Sequence, residues 1–193
     1  MNDIVISGLP KSYHLLVEKC QEIGFTMPSD LYIGSLLKTL ISSKPGSNLL
    51  EIGTGIGLSL SWMIDGMDVN SKITSVDNDP QLTEIAAEFF GHDSRVNIVC
   101  EDGSKWIKEA KGNKFDLIFA DAWPGKYSDL DQTLEFLTVG GMYVIDDMIA
   151  QPNWPEGHQD LVDELIHKLE NRDDLQLTKL NWSTGIIIAV KKR

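Results

Sequence analysis

Short apolar runs alternate along the chain with longer segments whose apolar residues recur at i, i+3, i+4 and i+7. The runs are long enough for strands of a buried parallel sheet, and the longer segments have the period of amphipathic helices. The last two runs are joined by a link too short for a crossover helix, which predicts an antiparallel hairpin. The pattern predicts an α/β domain with a seven-stranded, mostly parallel sheet, its strands at 49–52, 72–77, 96–100, 115–121, 142–145, 175–180 and 185–190.

Two predicted helices precede the first strand and form an N-terminal helical extension, residues 1–45, within the single domain 1–193. The first spans 11–23 and ends at Gly24, and the second begins near Ser29 as N-cap. Two interpretations remain open, because such an extension can cover a substrate or can only complete the core.

Charge and composition exclude several classes of function. The net charge is −12, and an acidic surface repels phosphate backbones, so a nucleic-acid substrate is not expected. No apolar run has the length of a membrane span, and the N-terminus lacks the pattern of a signal peptide. Cys20 and Cys100 are too few for a disulfide scaffold, which favours a cytoplasmic protein.

The first strand runs directly into three glycines at alternate positions, Gly53, Gly55 and Gly57, and then into a helix. Glycine permits a tight turn and leaves room for a ligand at the helix N-terminus, so the stretch predicts a nucleotide-type cofactor site. The spacing differs from the G-x-G-x-x-G of dinucleotide-binding proteins. An ordinary strand–turn–helix corner is the competing interpretation.

Acidic residues follow four of the predicted strands, at Asp77, Asp102, Asp121 and Asp146. Parallel strands bring their carboxyl ends to one crevice, so these side chains are expected near the glycine loop. Asp77 can accept hydrogen bonds from two ribose hydroxyls, although a solvated strand-end acid is the alternative. Helix capping competes with ligand binding at Asp102 and Ser104. Mutual repulsion among the acids predicts a compensating ligand or ion.

The sequence Glu51-Ile-Gly-Thr-Gly-Ile-Gly57 resembles the first motif of the class I S-adenosylmethionine (SAM)-dependent methyltransferases. The resemblance covers about residues 27–193 and implies their Rossmann-like fold, with strand order 3-2-1-4-5-7-6. It also implies that the loop holds the amino-acid and ribose parts of SAM and that Asp102 accepts from the adenine amino group. The implied cofactor-binding residues are Glu51, Gly53, Thr54, Gly55, Gly57, Ser59, Asp77, Asn78, Asp102, Gly103, Ser104 and Asp121.

Within that class the chain is similar to the small cation-dependent O-methyltransferases of the catechol and caffeoyl-coenzyme A type. Their Asp-Ala-x-Lys-x-x-Tyr pattern is matched here by Asp121-Ala122 and Tyr127, and their Asp-Asn by Asp146-Asp147. The resemblance implies a metal site of Asp121, Asp146 and Asp147, for which oxygen ligands favour Mg²⁺, Mn²⁺ or Ca²⁺. Pro124 stands where that family has its catalytic Lys, so Lys126 and His158 are the candidate bases.

The expected function is SAM-dependent O-methylation of a small-molecule hydroxyl, with a divalent cation as an optional helper. A SAM-binding sensor or scaffold without turnover, a nicotinamide-dependent oxidoreductase and an aminopropyl transferase remain as alternatives. The expected partner is a small-molecule methyl acceptor, with neither nucleic acid nor membrane, and a homodimer is left open.

Overall fold

The computed structural model describes residues 5–151 and 154–193. The parts of the predicted N-terminal extension that fall on residues 1–4 therefore lie outside the described residues. Within those two ranges, no helix combines the length and the apolar character that crossing a membrane requires.

A seven-stranded sheet in the order β3-β2-β1-β4-β5-β7-β6 forms the centre of the molecule. The pairs among β1 to β5 are parallel, whereas β7 runs antiparallel to both β5 and β6. The predicted strand order and terminal hairpin are confirmed. The strands are β1 Asn48–Ile52, β2 Lys72–Asp77, β3 Val96–Cys100, β4 Phe115–Ala120, β5 Leu137–Ile145, β6 Leu175–Leu180 and β7 Ile186–Lys191.

Helices cover both faces of the sheet, as a parallel sheet with two buried faces requires. They are α1 Tyr13–Ile23, α2 Leu31–Ser42, α3 Leu58–Gly66, α4 Pro80–Phe90, α5 Gly103–Glu109, α6 Leu130–Glu135 and α7 His158–Glu170.

Helix boundaries follow the capping residues, with one correction. Asp79 caps α4 by accepting from the N–H groups of Gln81 and Leu82. The N-cap of α2 is Asp30 and not Ser29, because the Asp30 carboxylate reaches the N–H groups of Tyr32 and Ile33. This places Ser29 outside the helix and frees its hydroxyl for the site described below.

The N-terminal helices belong to the core. Leu16 of α1 and Ile33 and Leu37 of α2 are fully buried in the cluster that includes Leu49 of β1 and Leu117 of β4. Burial of a leucine or isoleucine side chain contributes roughly 1.5–3 kcal/mol to the free energy of unfolding. These two helices therefore stabilise the domain.

Candidate active site

The glycine loop lies where the sheet order changes direction, between β1 and β4, at the carboxyl ends of the strands. Gly53, Gly55 and Gly57 have φ values of 106°, 51° and 93°. Residues with a side chain rarely adopt such positive φ values. A Cβ on Gly53 would lie 2.7 Å from the main-chain oxygen of Asp121. The loop therefore depends on glycine for both its conformation and its close approach to β4.

Glu51 is fully buried below this loop and organises it from inside. One carboxylate oxygen accepts from the hydroxyl of Ser59 at 2.6 Å, and the other accepts from Ser75 at 2.5 Å. Ser75 also lies 2.6 Å from the Thr54 hydroxyl. Glu51 and Ser59, both predicted as cofactor-binding, thus connect β1, β2 and the start of α3, so they position the loop from beneath it.

Burial raises the pKa of Glu51 from 4.5 to about 7, against the lowering effect of the Ser59 and Ser75 hydroxyls. The folded state then keeps a proton that the unfolded chain has lost, so the unfolding free energy falls as pH rises between about 4.5 and 7. A shift of this size corresponds to about 3 kcal/mol.

We expect Glu51→Gln to remove that part of the pH dependence, because glutamine does not ionise. Urea unfolding of the parent and the variant at several pH values between 4.5 and 8 measures the difference in slope. Glu84→Gln, at an exposed position on α4, is the matched control. Equal slopes in the parent and Glu51→Gln would contradict the expectation.

Asp77, at the end of β2, ties the glycine loop to the neighbouring strand. Its Oδ2 accepts from the Gly55 N–H at 2.8 Å, and its Oδ1 accepts from the Asp79 N–H at 3.0 Å. A carboxylate has about four acceptor positions, so lone pairs remain on both oxygens for a ligand at the crevice. The next residue, Asn78, is exposed at the same edge.

The corner after β3 has a helix-capping role that was left open from the sequence. Asp102 caps α5 by accepting from the Lys105 N–H at 2.8 Å, and its side chain stays exposed and able to accept further bonds. Gly103 is buried against Pro124, where an added Cβ would lie 3.0 Å from the ring. The Ser104 hydroxyl lies 3.3 Å from that of Ser128.

A buried lysine separates the acids at the ends of β4 and β5. Lys126 Nζ donates to the main-chain oxygen of Asp146 at 2.8 Å and lies 3.8 Å from Asp121 Oδ1. Burial raises the pKa of Asp121 well above its usual range despite Lys126, and the carboxylates of Asp146 and Asp147 raise it further. Burial also raises the pKa of Asp146 to about 6, although the Thr184 hydroxyl opposes this.

Two of the three predicted metal ligands, Asp146 and Asp121, accept hydrogen bonds from the protein. Asp146 Oδ1 accepts from the Thr184 hydroxyl at 2.5 Å and from the Asp147 N–H at 2.9 Å, while Asp121 Oδ2 accepts from Ser29 at 3.3 Å. Across residues 5–151 and 154–193, no three His, Cys, Asp or Glu side chains are grouped as a metal ion requires. Asp121, Asp146 and Asp147 come to one edge as expected, with the Lys126 ammonium beside Asp121. The metal site itself stays a prediction.

His158, the second candidate base, lies at the first position of α7 and is 8% exposed. Its Nε2 is 3.1 Å from the Tyr127 hydroxyl, and its Nδ1 is buried without a partner among the described residues. Trp154 packs at a tilt against the imidazole, with 4.2 Å between ring centroids, and the exposed Trp123 makes an edge contact with it at 5.6 Å. The site thus has an aromatic wall with a histidine–tyrosine pair inside it.

These neighbours set the charge states of the pair. Burial lowers the pKa of His158 below 6.5, and Lys126 lowers it further, although Asp147 opposes them. Burial also raises the pKa of Tyr127 to about 12. Near neutral pH the imidazole is therefore neutral and the phenol protonated.

Several residues at this edge were not assigned to the site from the sequence. The ring of Phe25 lies 3.4 Å from where a Gly55 Cβ would stand, and Asp30 accepts a hydrogen bond from Ser183 in the β6–β7 link. Thr184 and Ser75 orient Asp146 and Glu51. These contacts join segments far apart in sequence, so no local sequence pattern could indicate them. Tyr127 differs, because its match to the family pattern was visible in the sequence.

A three-glycine loop at the switch point of the sheet, bordered by acids, is the arrangement of Rossmann-like domains with a nucleotide-type cofactor site. A family model described as O-methyltransferase matches residues 14–192. The chain belongs to this O-methyltransferase family, which confirms the resemblance identified from the sequence.

Known relatives agree with this assignment. The fold is similar to that of an O-methyltransferase from Bacillus cereus in complex with SAH, with 19% identity, a TM-score of 0.82, and coverage of 98% of this chain and 94% of that one. A protein of Arabidopsis thaliana named as a caffeoyl-CoA O-methyltransferase is 28% identical over 155 residues, 74% of this chain and 67% of that protein. A Mycobacterium leprae protein with an O-methyltransferase name is 29% identical over 111 residues, 55% of this chain. The match spans 49% of that mycobacterial protein, about half its length.

Proposed function

We propose that this chain is a SAM-dependent O-methyltransferase acting on a hydroxyl of a small molecule. The observation that carries the proposal is the left-handed glycine loop tied to Asp77 at the switch point of the sheet. Family membership supports the reaction class, and the SAH complex of the Bacillus cereus relative supports the cofactor.

The residues present fit SAM better than a dinucleotide. SAM carries a sulfonium and an ammonium group, whereas the pyrophosphate of NAD is an anion. The crevice has an acidic border formed by Asp77, Asp102 and Asp121. This border attracts the sulfonium and ammonium groups of SAM and repels the pyrophosphate of NAD. Gly53 and Gly55 would leave room beside the loop, and Asp77 would accept from the ribose hydroxyls. Bound SAM supplies an activated methyl group.

The protein's own task is to align the acceptor and take its proton. We infer that the acceptor hydroxyl lies against the Tyr127 hydroxyl, within the aromatic wall of Trp123 and Trp154. Its proton passes to the Tyr127 oxygen as the Tyr127 proton passes to His158 Nε2, 3.1 Å away. Lys126 serves poorly as a base, because its nitrogen already donates to Asp146 and faces Asp121.

Calorimetric titration with S-adenosylhomocysteine tests the cofactor. Binding at a concentration of 100 times the dissociation constant should raise the unfolding free energy by about 2.7 kcal/mol. Asp77→Asn should weaken binding about tenfold or more, because hydrogen bonds to a charged acceptor contribute roughly 1.5–3 kcal/mol.

Asp68→Asn is the matched control, since Asp68 also accepts main-chain hydrogen bonds but lies at the opposite, amino edge of the sheet. It should bind S-adenosylhomocysteine like the parent. Tight NAD binding without S-adenosylhomocysteine binding would overturn the proposal.

Turnover separates an enzyme from a SAM-binding sensor. Incubation with SAM and a panel of phenols and catechols should yield S-adenosylhomocysteine and a methyl ether, detected by mass spectrometry. Cofactor binding without turnover of any compound in a broad panel of hydroxyl acceptors would favour the sensor.

A further inference from the structure

Lys126 is a cation placed in the interior of an acidic site. Its side chain is 3% exposed, and its ammonium lies between the Asp121 carboxylate and the main-chain oxygen of Asp146. An unpaired buried ammonium is strongly unfavourable, so this position depends on the surrounding negative charge. The carboxylates in turn gain a counter-charge that does not dissociate from the protein.

The segment after Asp121 is shaped to direct this lysine inward. Gly125 has a φ of 88°, its N–H donates to the Ser128 oxygen at 2.8 Å, and the hydroxyl of buried Tyr143 donates to its carbonyl. The Lys126 N–H donates to Trp123 at 3.2 Å. The Pro124-Gly125 pair thus makes the turn that brings Lys126 to the ends of β4 and β5.

A divalent cation would meet two obstacles at this edge. The ammonium is 3.8 Å from Asp121 and would repel a second cation beside it. Asp146 Oδ1 already accepts two protein hydrogen bonds, and Asp121 Oδ2 accepts one from Ser29.

We propose that the Lys126 ammonium takes the place of the divalent cation at the strand-end acids, so that this chain works without a metal. The proposal rests on the proposed function, since the place of the cation is defined by the methyltransferase resemblance. Lys126 acts here as a positioning residue that holds the carboxylates of Asp121 and Asp146 around a fixed positive charge.

Titration with Mn²⁺, followed by calorimetry and electron paramagnetic resonance, tests the proposal with and without saturating S-adenosylhomocysteine. The parent should show no stoichiometric site with a dissociation constant below about 1 mM, which is the weak end of metal affinities seen in proteins. Its S-adenosylhomocysteine affinity and its methyl transfer should be unchanged by excess EDTA.

Lys126→Met removes the charge while keeping a chain of similar width, and it should gain at least tenfold in Mn²⁺ affinity because the acids lose their counter-ion. Lys114→Met is the matched control, because Lys114 also donates to a main-chain oxygen but lies away from the acids. The Mn²⁺ affinity of Lys114→Met should equal that of the parent. Lys126→Arg keeps the charge and should also gain nothing.

Micromolar Mn²⁺ binding by the parent, weakened tenfold by Asp146→Asn, would overturn the proposal. So would a folded Lys126→Met protein with no gain in Mn²⁺ affinity. If Lys126→Met does not fold, the parent titration and Lys126→Arg decide the question. Failure of the proposed function would show separately, as absent S-adenosylhomocysteine binding in EDTA.

Discussion

His158→Gln should lower methyl transfer by about a hundredfold or more at neutral pH, because a positioned proton acceptor contributes roughly 10²–10⁴ in rate. Tyr127→Phe should cause a loss of similar size, since it removes the hydroxyl that connects the acceptor to His158 Nε2. If the two residues act as one relay, the double variant should be little worse than either single variant. The measurement is kcat with SAM and any phenol that is turned over.

The pH profile distinguishes proton transfer from a loss of packing. His158 must be neutral to accept a proton, so the parent rate should fall on the acid side as His158 becomes protonated. Burial lowers its pKa, which places this fall below pH 6.5. In His158→Gln the rate should no longer decrease on the acid side.

His167→Gln is the matched control, because His167 lies on the same helix at an exposed position. It should leave both the rate and the profile unchanged. All variants should bind S-adenosylhomocysteine like the parent. Equal rates in the parent and His158→Gln would contradict the proposed proton relay through Tyr127 and His158.

The sheet could be predicted from the sequence because its information is local. The central parallel strands are buried on both faces and therefore read as apolar runs, as in Leu117 to Ala120 of β4. The strand order came from the family resemblance, and the structure has that order. Some boundaries differed: Asp30 replaces Ser29 at the start of α2, and β5 begins at Leu137, five residues before the predicted start at Met142.

The contents of the site were less predictable, because its contacts connect distant segments. The acids at the strand ends were found, since parallel strands must finish at one edge. The inward direction of Lys126 depends on a turn held by Tyr143, and the pairing of His158 with Tyr127 spans 31 positions. Cofactor binding by Glu51 stays a prediction, and the sequence did not indicate its two serine partners, which hold it beneath the loop.

Gly53→Ala should be the most destabilising single substitution in the cofactor loop. Its φ of 106° strains any other residue, which costs about 1–3 kcal/mol. The new Cβ would also lie 2.7 Å from the Asp121 oxygen and 2.9 Å from its carbonyl carbon, so strand β4 must move. Such overpacking adds typically 1–3 kcal/mol. Because the Asp121 N–H also donates to the oxygen of Ile52 at 2.9 Å, this shift would disturb the join between β1 and β4.

Gly112→Ala separates the two effects. Gly112 has a φ of 88° but nothing within 4 Å of an added Cβ, so its variant carries the backbone strain alone. Urea unfolding should therefore show Gly53→Ala to be less stable than Gly112→Ala by about 1–3 kcal/mol, the overpacking term. Titration should show S-adenosylhomocysteine affinity reduced at least tenfold in Gly53→Ala and unchanged in Gly112→Ala. Equal stability and equal affinity in the two variants would mean that the loop does not approach β4 as closely as described, and the cofactor site would then have to be placed elsewhere along the edge.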